Sequence, residues 1–139
     1  PKSQVAYIRE GSSIRQGLEK MQRHGYTCLP VISKDGRFLG CINEGDFLWN
    51  ILSMGSVTTK DMERARIDDI ISDRYTPVRV TTTMEELLRH ATEQNFVPVV
   101  DDRDIFMGIV TRRALLTYCL KNGVETESLP TAEYVRRES

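Results

Sequence analysis

Apolar and polar residues alternate along the chain in blocks, and the blocks occur twice. Leu29-Pro30-Val31-Ile32 and Val97-Pro98-Val99-Val100 are short apolar runs bounded by polar residues, the pattern of a strand buried on both faces. Ten residues after each proline stands a glycine, Gly40 and Gly108, with Phe38 and Phe106 just ahead of it. An apolar pair follows, Cys41-Ile42 and Ile109-Val110. Next come a polar residue, Asn43 or Thr111, and a helical pattern with Leu48 over Leu116. The offset is 68 across this stretch. Upstream it becomes 70, with Gly11-Ser12-Ser13-Ile14 over Thr81-Thr82-Thr83-Met84, Leu18 over Leu88 and Met21 over Ala91. The second copy is therefore two residues shorter between its first helix and its strand. Self-similarity of this kind marks a repeat architecture.

Each copy predicts strand, helix, strand, strand, helix. In the first, residues 6–9 read as a strand. Ser13 and Gln16 form a capping box ahead of an apolar stripe of Ile14, Leu18 and Met21, and Gly25 ends that helix. Strands are predicted over 28–33 and 38–42 with a turn at 34–37, then a helix whose apolar face is Phe47, Leu48, Ile51 and Leu52. The second copy has a capping box at Thr83 and Glu86, with Leu87, Leu88 and Ala91 inward. Strands over 96–100 and 105–110 follow, and a last helix lined by Leu115, Leu116, Cys119 and Leu120. The connection, 53–76, is too apolar at Ile67, Ile70 and Ile71 for a free linker, so short helices are predicted over 59–65 and 67–72. The expected organisation is a first repeat over 1–58, a linker helix and second repeat over 59–121, and a polar tail over 122–139. In that tail Tyr134 and Val135 are the sizeable apolar anchors and Arg136-Arg137 is solvated charge.

Composition narrows the function classes. The 139 residues carry 19 Lys plus Arg against 20 Asp plus Glu, a formal net charge of −1. That balance excludes a nucleic-acid coat, which needs broad basic excess. No apolar run approaches the ~20 residues that cross a bilayer, and the polar start Pro1-Lys2-Ser3-Gln4 is not a signal peptide. A cytoplasmic chain is expected, and the lack of an initiator Met suggests a start inside a longer natural sequence. Cys28, Cys41 and Cys119 are odd in number and widely spaced, which argues against a disulfide framework. A zinc site from Cys28, Cys41 and His24 lacks the usual ligand spacing, so buried thiols and no metal are expected. There is neither a phosphate-binding Gly-Lys loop nor a Gly-x-Ser-x-Gly elbow. His24 lies beside a helix-ending glycine and His90 sits three residues before Glu93 on a helix, neither with a nucleophile partner. No catalytic residue is assigned. Phe47 and Trp49 read as core or dimer contact.

The repeated Pro-Val strand, the glycine ten residues later and the polar residue at the helix start resemble the CBS domain, which occurs as tandem pairs called Bateman modules. The resemblance covers about residues 3–121. It implies an α/β (α+β) fold of two β-α-β-β-α repeats packed about a pseudo-twofold axis. The chain is also similar to stand-alone CBS pairs of Gram-positive bacteria that bind cyclic di-AMP. Val5-Ala6-Tyr7-Ile8, Gly25-Tyr26-Thr27-Cys28-Leu29-Pro30 and Thr111-Arg112-Arg113 carry that closer likeness.

The resemblance implies two clefts between the repeats. One combines Val5, Ala6, Tyr26, Thr27, Cys28 and Leu29 with Thr111, Arg112 and Arg113. The other combines Tyr75, Thr76, Phe96 and Val97 with Asn43, Glu44 and Asp46. In the first, adenine would lie against Ala6, Tyr26 and Leu29. A phosphate would meet the Thr111 hydroxyl, the helix N-terminus and two guanidinium groups. Thr111 also fits a plain N-cap, and an Arg pair fits a solvated face. Related nucleotide sites carry a ribose-binding acid three residues after the Thr, where this chain has Ala114. That disfavours AMP, ADP or ATP, whose free diol wants a carboxylate, and favours cyclic di-AMP. In the second cleft Asp46 holds the ribose position but Glu44 stands at the position that Arg112 has in the first, so phosphate is repelled. Asn43 and Asp46 also read as a helix cap. The expected function is a non-enzymatic sensor with no cofactor, binding cyclic di-AMP in the first cleft and more weakly in the second; the alternatives are an AMP-, ADP- or ATP-binding module, and a ligand-free interaction scaffold or regulatory fragment of a larger enzyme or transporter. The resemblance further suggests a homodimer through the helices of Phe47 to Ile51 and Leu115 to Tyr118, acting on a target protein such as a metabolic or stringent-response enzyme.

Overall fold

A computed structural model of the chain describes residues 6–55 and 57–123. The predicted tail beyond 123, and Val5, lie outside the described residues. The first repeat runs β1 (Ile8–Arg9), α1 (Ile14–His24), β2 (Cys28–Ile32), β3 (Phe38–Asn43) and α2 (Glu44–Met54). The connection holds α3 (Thr59–Arg64) and a 3-10 turn, Ile67–Ile70. The second repeat runs β4 (Val78–Arg79), α4 (Met84–Glu93), β5 (Phe96–Val100), β6 (Phe106–Thr111) and α5 (Arg112–Asn122). Each repeat has a three-stranded sheet, in the orders β1-β2-β3 and β4-β5-β6. The outer strand lies parallel to the centre and the last strand antiparallel to it.

The two sheets repeat each other rung by rung. Cys28 pairs with Asn43, Pro30 with Cys41 and Ile32 with Phe38. Phe96 pairs with Thr111, Pro98 with Ile109 and Val100 with Phe106, each residue shifted by 68. Both central strands shift register before their last residue. The repeats also bond to each other reciprocally. Phe38 N donates to Asp104 O at 3.1 Å, and Phe106 N donates to Gly36 O at 2.8 Å. Phe38 and Phe106 stack across this axis with ring centroids 6.2 Å apart. These are two β-α-β-β-α repeats in a pseudo-twofold pair.

Alternation along β2 divides the core. Leu29 and Val31 join Ile14, Ile42 and Phe47 on the helix side. Cys28 and Cys41 face the second repeat and meet Phe96 there. Ile67 is fully buried in the first repeat's core, with Ile70 and Ile71 against it. Ile14 N donates to Ala65 O and Ile67 N to Ser12 O, both at 2.9 Å, so the connection is packed structure. Further along it, Ser72 and Cys41 exchange two backbone bonds of 2.9 Å. That approach requires a glycine at 40, where a Cβ would stand 2.5 Å from Ser72 O.

Several local expectations differ from the structure. The first strand is Ile8–Arg9, because only these residues reach Val31 and Ile32. Ser13 and Gln16 form the full capping box, whereas Thr83 accepts from Glu86 N and Glu86 itself turns toward Arg89 at 3.9 Å. The second short helix shrinks to one 3-10 turn. Of the faces predicted to be inward, Phe47 and Leu115 are buried, while Leu48, Leu52, Leu116 and Leu120 are 59–91% exposed. Each of these helices carries more apolar positions than one sheet face can cover.

Candidate functional site

The segment between α1 and β2 exists because Gly25 ends α1 in a left-handed turn, φ 67°. Tyr26, Thr27 and Cys28 then run past the end of β6. Thr111 stands opposite, as N-cap of α5, its hydroxyl accepting from Ala114 N at 3.1 Å. Between them lies a cavity of about 290 Å³, with Pro30, Phe96 and Ile109 as its apolar wall and Asn95 at its edge. The structure thus gathers Tyr26, Thr27, Cys28 and Thr111 of the predicted first cleft. Ala6 and Leu29 instead join the first repeat's core.

The two arginines separate. Arg112 Nε donates to Ala91 O at 2.6 Å and its Nη2 to Thr92 O at 3.2 Å. Both are carbonyls at the C-terminal end of α4, where helices leave acceptors unpartnered. Arg113 is exposed, and no bond or ion pair of its guanidinium is found among the described residues.

A second cavity, about 370 Å³, adjoins the first and shares Thr27, Cys28 and Asn95 with it. Of the residues expected in the second cleft it gathers Asn43, Glu44, Asp46 and Tyr75, together with Trp49 and Arg74. Asn43 and Asp46 form a capping box at the start of α2. Arg74 Nη2 bonds both Asp46 oxygens at 3.0 and 3.1 Å, and its Nε donates to Ser72 Oγ at 2.9 Å. Gln94 is buried and holds the Thr76 backbone from both sides, at 3.0 and 3.1 Å. Phe96 turns to the first cavity, with its ring 4.6 Å from that of Tyr75, and Val97 is fully buried. Sequence reasoning missed Arg74. The available signal was its place next to Tyr75, with Gln4 as its counterpart at the offset of 70. The charge contrast read from sequence is altered, because the cation Arg74 enters the second cavity and Arg112 leaves the first.

Where the cavities meet, the side chains of Cys28, Cys41 and Tyr75 lie together. Cys28 is held below the ordinary thiol range, chiefly by a hydrogen bond from Cys41. Cys41 is pushed up, chiefly because that bond uses its own proton and then by burial. Tyr75 is pushed up to about 12, first by burial. Its hydroxyl donates to Asn95 Oδ1 at 2.5 Å and lies beside Cys28. His24 packs on Tyr26, 5.7 Å between rings. Among the described residues no group of three or more His, Cys, Asp or Glu is arranged to hold a metal ion. No helix among them is long and apolar enough to cross a membrane.

The family model for the CBS domain matches residues 1–53 and 67–121. The chain is 28% identical over 105 residues to cystathionine beta-synthase of Dictyostelium discoideum, covering 76% of this chain and 21% of that enzyme. It is 21% identical over 112 residues to the cyclic di-AMP receptor B of Bacillus subtilis, covering 81% of this chain and 76% of the receptor. Its fold matches the crystal structure of Listeria monocytogenes CbpB in complex with c-di-AMP. There the TM-score is 0.75 and the identity 24%, over 86% of this chain and 89% of that one.

Proposed function

Because the chain belongs to the CBS domain family, we propose that it is a non-enzymatic regulatory sensor whose ligand is an adenine nucleotide, cyclic di-AMP above all. The observation that carries this reading is the cavity formed where Tyr26, Thr27 and Cys28 face Thr111 at the start of α5. Its apolar wall suits a purine face. The Thr111 hydroxyl, which can still donate, and the exposed, unpartnered Arg113 at the start of the same helix, outside the cavity's lining, suit a phosphodiester. Ala114 offers no carboxylate for a ribose diol, and cyclic di-AMP has none. The receptor from Bacillus subtilis, similar over most of its own length, supports the same ligand. Calorimetric titration with cyclic di-AMP, AMP, ATP and cyclic di-GMP tests the reading. Saturable heat from cyclic di-AMP and none from cyclic di-GMP is expected. The reading fails if no adenine ligand gives heat.

A second reading is favoured by one contact. Asp46 and Arg74 pair across the second cavity, so AMP, ADP or ATP could place its diol on the one and its phosphate on the other by opening that pair. Tight AMP binding that disappears in Arg74→Ala, without cyclic di-AMP binding, would select this alternative.

The sensor acts as a cytoplasmic homodimer that alters its grip on a target protein. Leu48 and Leu52 on α2 and their counterparts Leu116 and Leu120 on α5 form two exposed apolar ridges, related by the offset of 68. A second copy buries such ridges in pairs. A monomer mass by light scattering at micromolar concentration, with and without ligand, would overturn the dimer.

A further inference from the structure

One thiol belongs to the walls of both cavities. Cys28 lines the 290 Å³ space and the 370 Å³ space, and a small oxidant entering either one reaches it. Its neighbour across the sheet is a second thiol. The register sets Cys28 opposite Asn43 and Pro30 opposite Cys41, so the two cysteines are diagonal neighbours on one face. They pack in one buried cluster with Phe96, closed over by Tyr75, Phe38 and Ile109. All three cysteines of the chain are free thiols, and the third, Cys119, sits half-buried on α5, outside this cluster.

We propose that Cys28 and Cys41 are a modification site, a vicinal dithiol that hydroperoxides convert into a reversible disulfide. Cys28 is the attacking sulfur because it lines both cavities and Cys41 lines neither, and its neighbour Cys41 holds its thiol below the ordinary range. The thiolate attacks one peroxide oxygen. The S–O bond forms, the O–O bond breaks, and the leaving oxygen departs as water or an alcohol after taking a proton. Cys28 is now a sulfenic acid. Cys41, packed beside it in the same cluster, attacks the Cys28 sulfur. The S–S bond forms, the S–O bond breaks, and hydroxide leaves as water with the Cys41 proton. Two thiols lose two electrons to one hydroperoxide. Diagonal neighbours on paired strands stand roughly 7–8 Å apart at Cα, at or just past the ~7 Å that a disulfide spans without backbone movement. Closing the bond therefore draws β2 and β3 together at Cys28. The bearing of this change on nucleotide binding rests on the function proposed above.

The full chain is treated with hydrogen peroxide, its free thiols are counted, and unreduced tryptic peptides are mapped. Thiols are expected to fall from three to one, with peptide 24–34 joined to peptide 38–60 and peptide 114–121 unlinked. Dithiothreitol restores all three. In Cys41→Ser, dimedone is expected to label Cys28. In Cys28→Ser, Cys41 stays reduced, and thermal melts of both variants check that they are folded. Three surviving thiols, a loss confined to Cys119, or a bridge between chains overturns the proposal. A titration of oxidised against reduced protein with cyclic di-AMP separates the two ideas. Reduced protein that does not bind sinks the ligand and leaves the disulfide standing. Reduced protein that binds, with peroxide leaving the peptides unlinked, sinks the disulfide alone.

Discussion

Arg112 and Arg113 are adjacent, and sequence alone assigns them one role, yet the structure predicts opposite consequences for removing them. The Arg112 guanidinium bonds Ala91 O at 2.6 Å and Thr92 O at 3.2 Å. A cation at that helix end also meets the negative pole of the α4 dipole. A hydrogen bond from a charged donor contributes roughly 1.5–3 kcal/mol when shielded. Arg112 is exposed, so the two bonds together are worth about 1–2 kcal/mol after solvent competition. In a chain of this size 1 kcal/mol moves Tm by about 3–5 °C, so Arg112→Ala should lower Tm by roughly 3–10 °C. Arg113 makes no such contact, and Arg113→Ala should melt like the wild type. If Arg113 is the phosphate ligand, its loss weakens cyclic di-AMP binding about tenfold to a hundredfold. Thermal melts by circular dichroism, paired with titrations well below each Tm, separate stability from affinity. Should Arg112→Ala melt normally and lose binding while Arg113→Ala binds normally, the α4 capping contact does not govern Arg112 and its side chain serves the ligand.

Gly40→Ala should destabilise by roughly 2–3 kcal/mol, since its Cβ would lie 2.5 Å from Ser72 O at φ 148°. A chemical denaturation midpoint equal to wild type refutes the packed connection, and Gly11→Ala, at φ 82° with nothing within 4 Å, is the control that carries the backbone strain of about 1 kcal/mol without the close approach. Asp46→Ala loses both the α2 capping box and the Arg74 pair and should cost about 1–1.5 kcal/mol, against under 1 kcal/mol for Arg74→Ala. Equal costs would mean that the cap contributes nothing. Tyr75, raised to about 12, adds stability that is complete below pH 10 and lost as pH rises through 12. One tyrosine should titrate late by tyrosinate absorbance and vanish in Tyr75→Phe. Asp61 and Asp101 are held low, the one by backbone and side-chain bonds at Thr58, the other by the Arg103 and Ile105 amides. Their contribution is present above the ordinary carboxylate value and lost as pH falls below it. Acid melts of Asp101→Asn should therefore show a shallower loss than wild type.

The repeat was legible because its punctuation is backbone chemistry. Gly25, the Ser13 cap and the glycine-bearing Gly40 strand each specify a local geometry that sequence can name. The pairing offset of 68 then follows rung by rung. Helix faces were less legible. In α2, Phe47 and Leu48 are consecutive, one helical step of 100° apart, and both are apolar. Only the sheet's position decides that Phe47 is buried and Leu48 exposed. Long cations were the least legible. Arg112 and Arg74 find partners 20 to 28 residues away, chosen by where α4 ends and where the connection returns. Motif spacing carries no information about either.

A pseudo-twofold pair supplies two equivalent backbone frames, so whatever distinguishes its clefts must lie in side chains that break the equivalence. Thr111 replaces Asn43 at the helix start, and Phe96 replaces Cys28 in the shared wall, on matched rungs. The backbone bonds there match too, Glu44 N to Thr27 O at 3.0 Å and Arg112 N to Asn95 O at 3.2 Å. The frames agree while the chemistry does not. The second cavity already contains an internal ion pair, which any anion must displace before Arg74 is available. The first presents Thr111 and a helix N-terminus with no carboxylate among its lining residues. An incoming phosphodiester therefore meets a competing carboxylate in one cavity and none in the other. On the function proposed above, this difference is the reason to rank the first cavity above the second, although the cation expected beside it, Arg112, is engaged with α4.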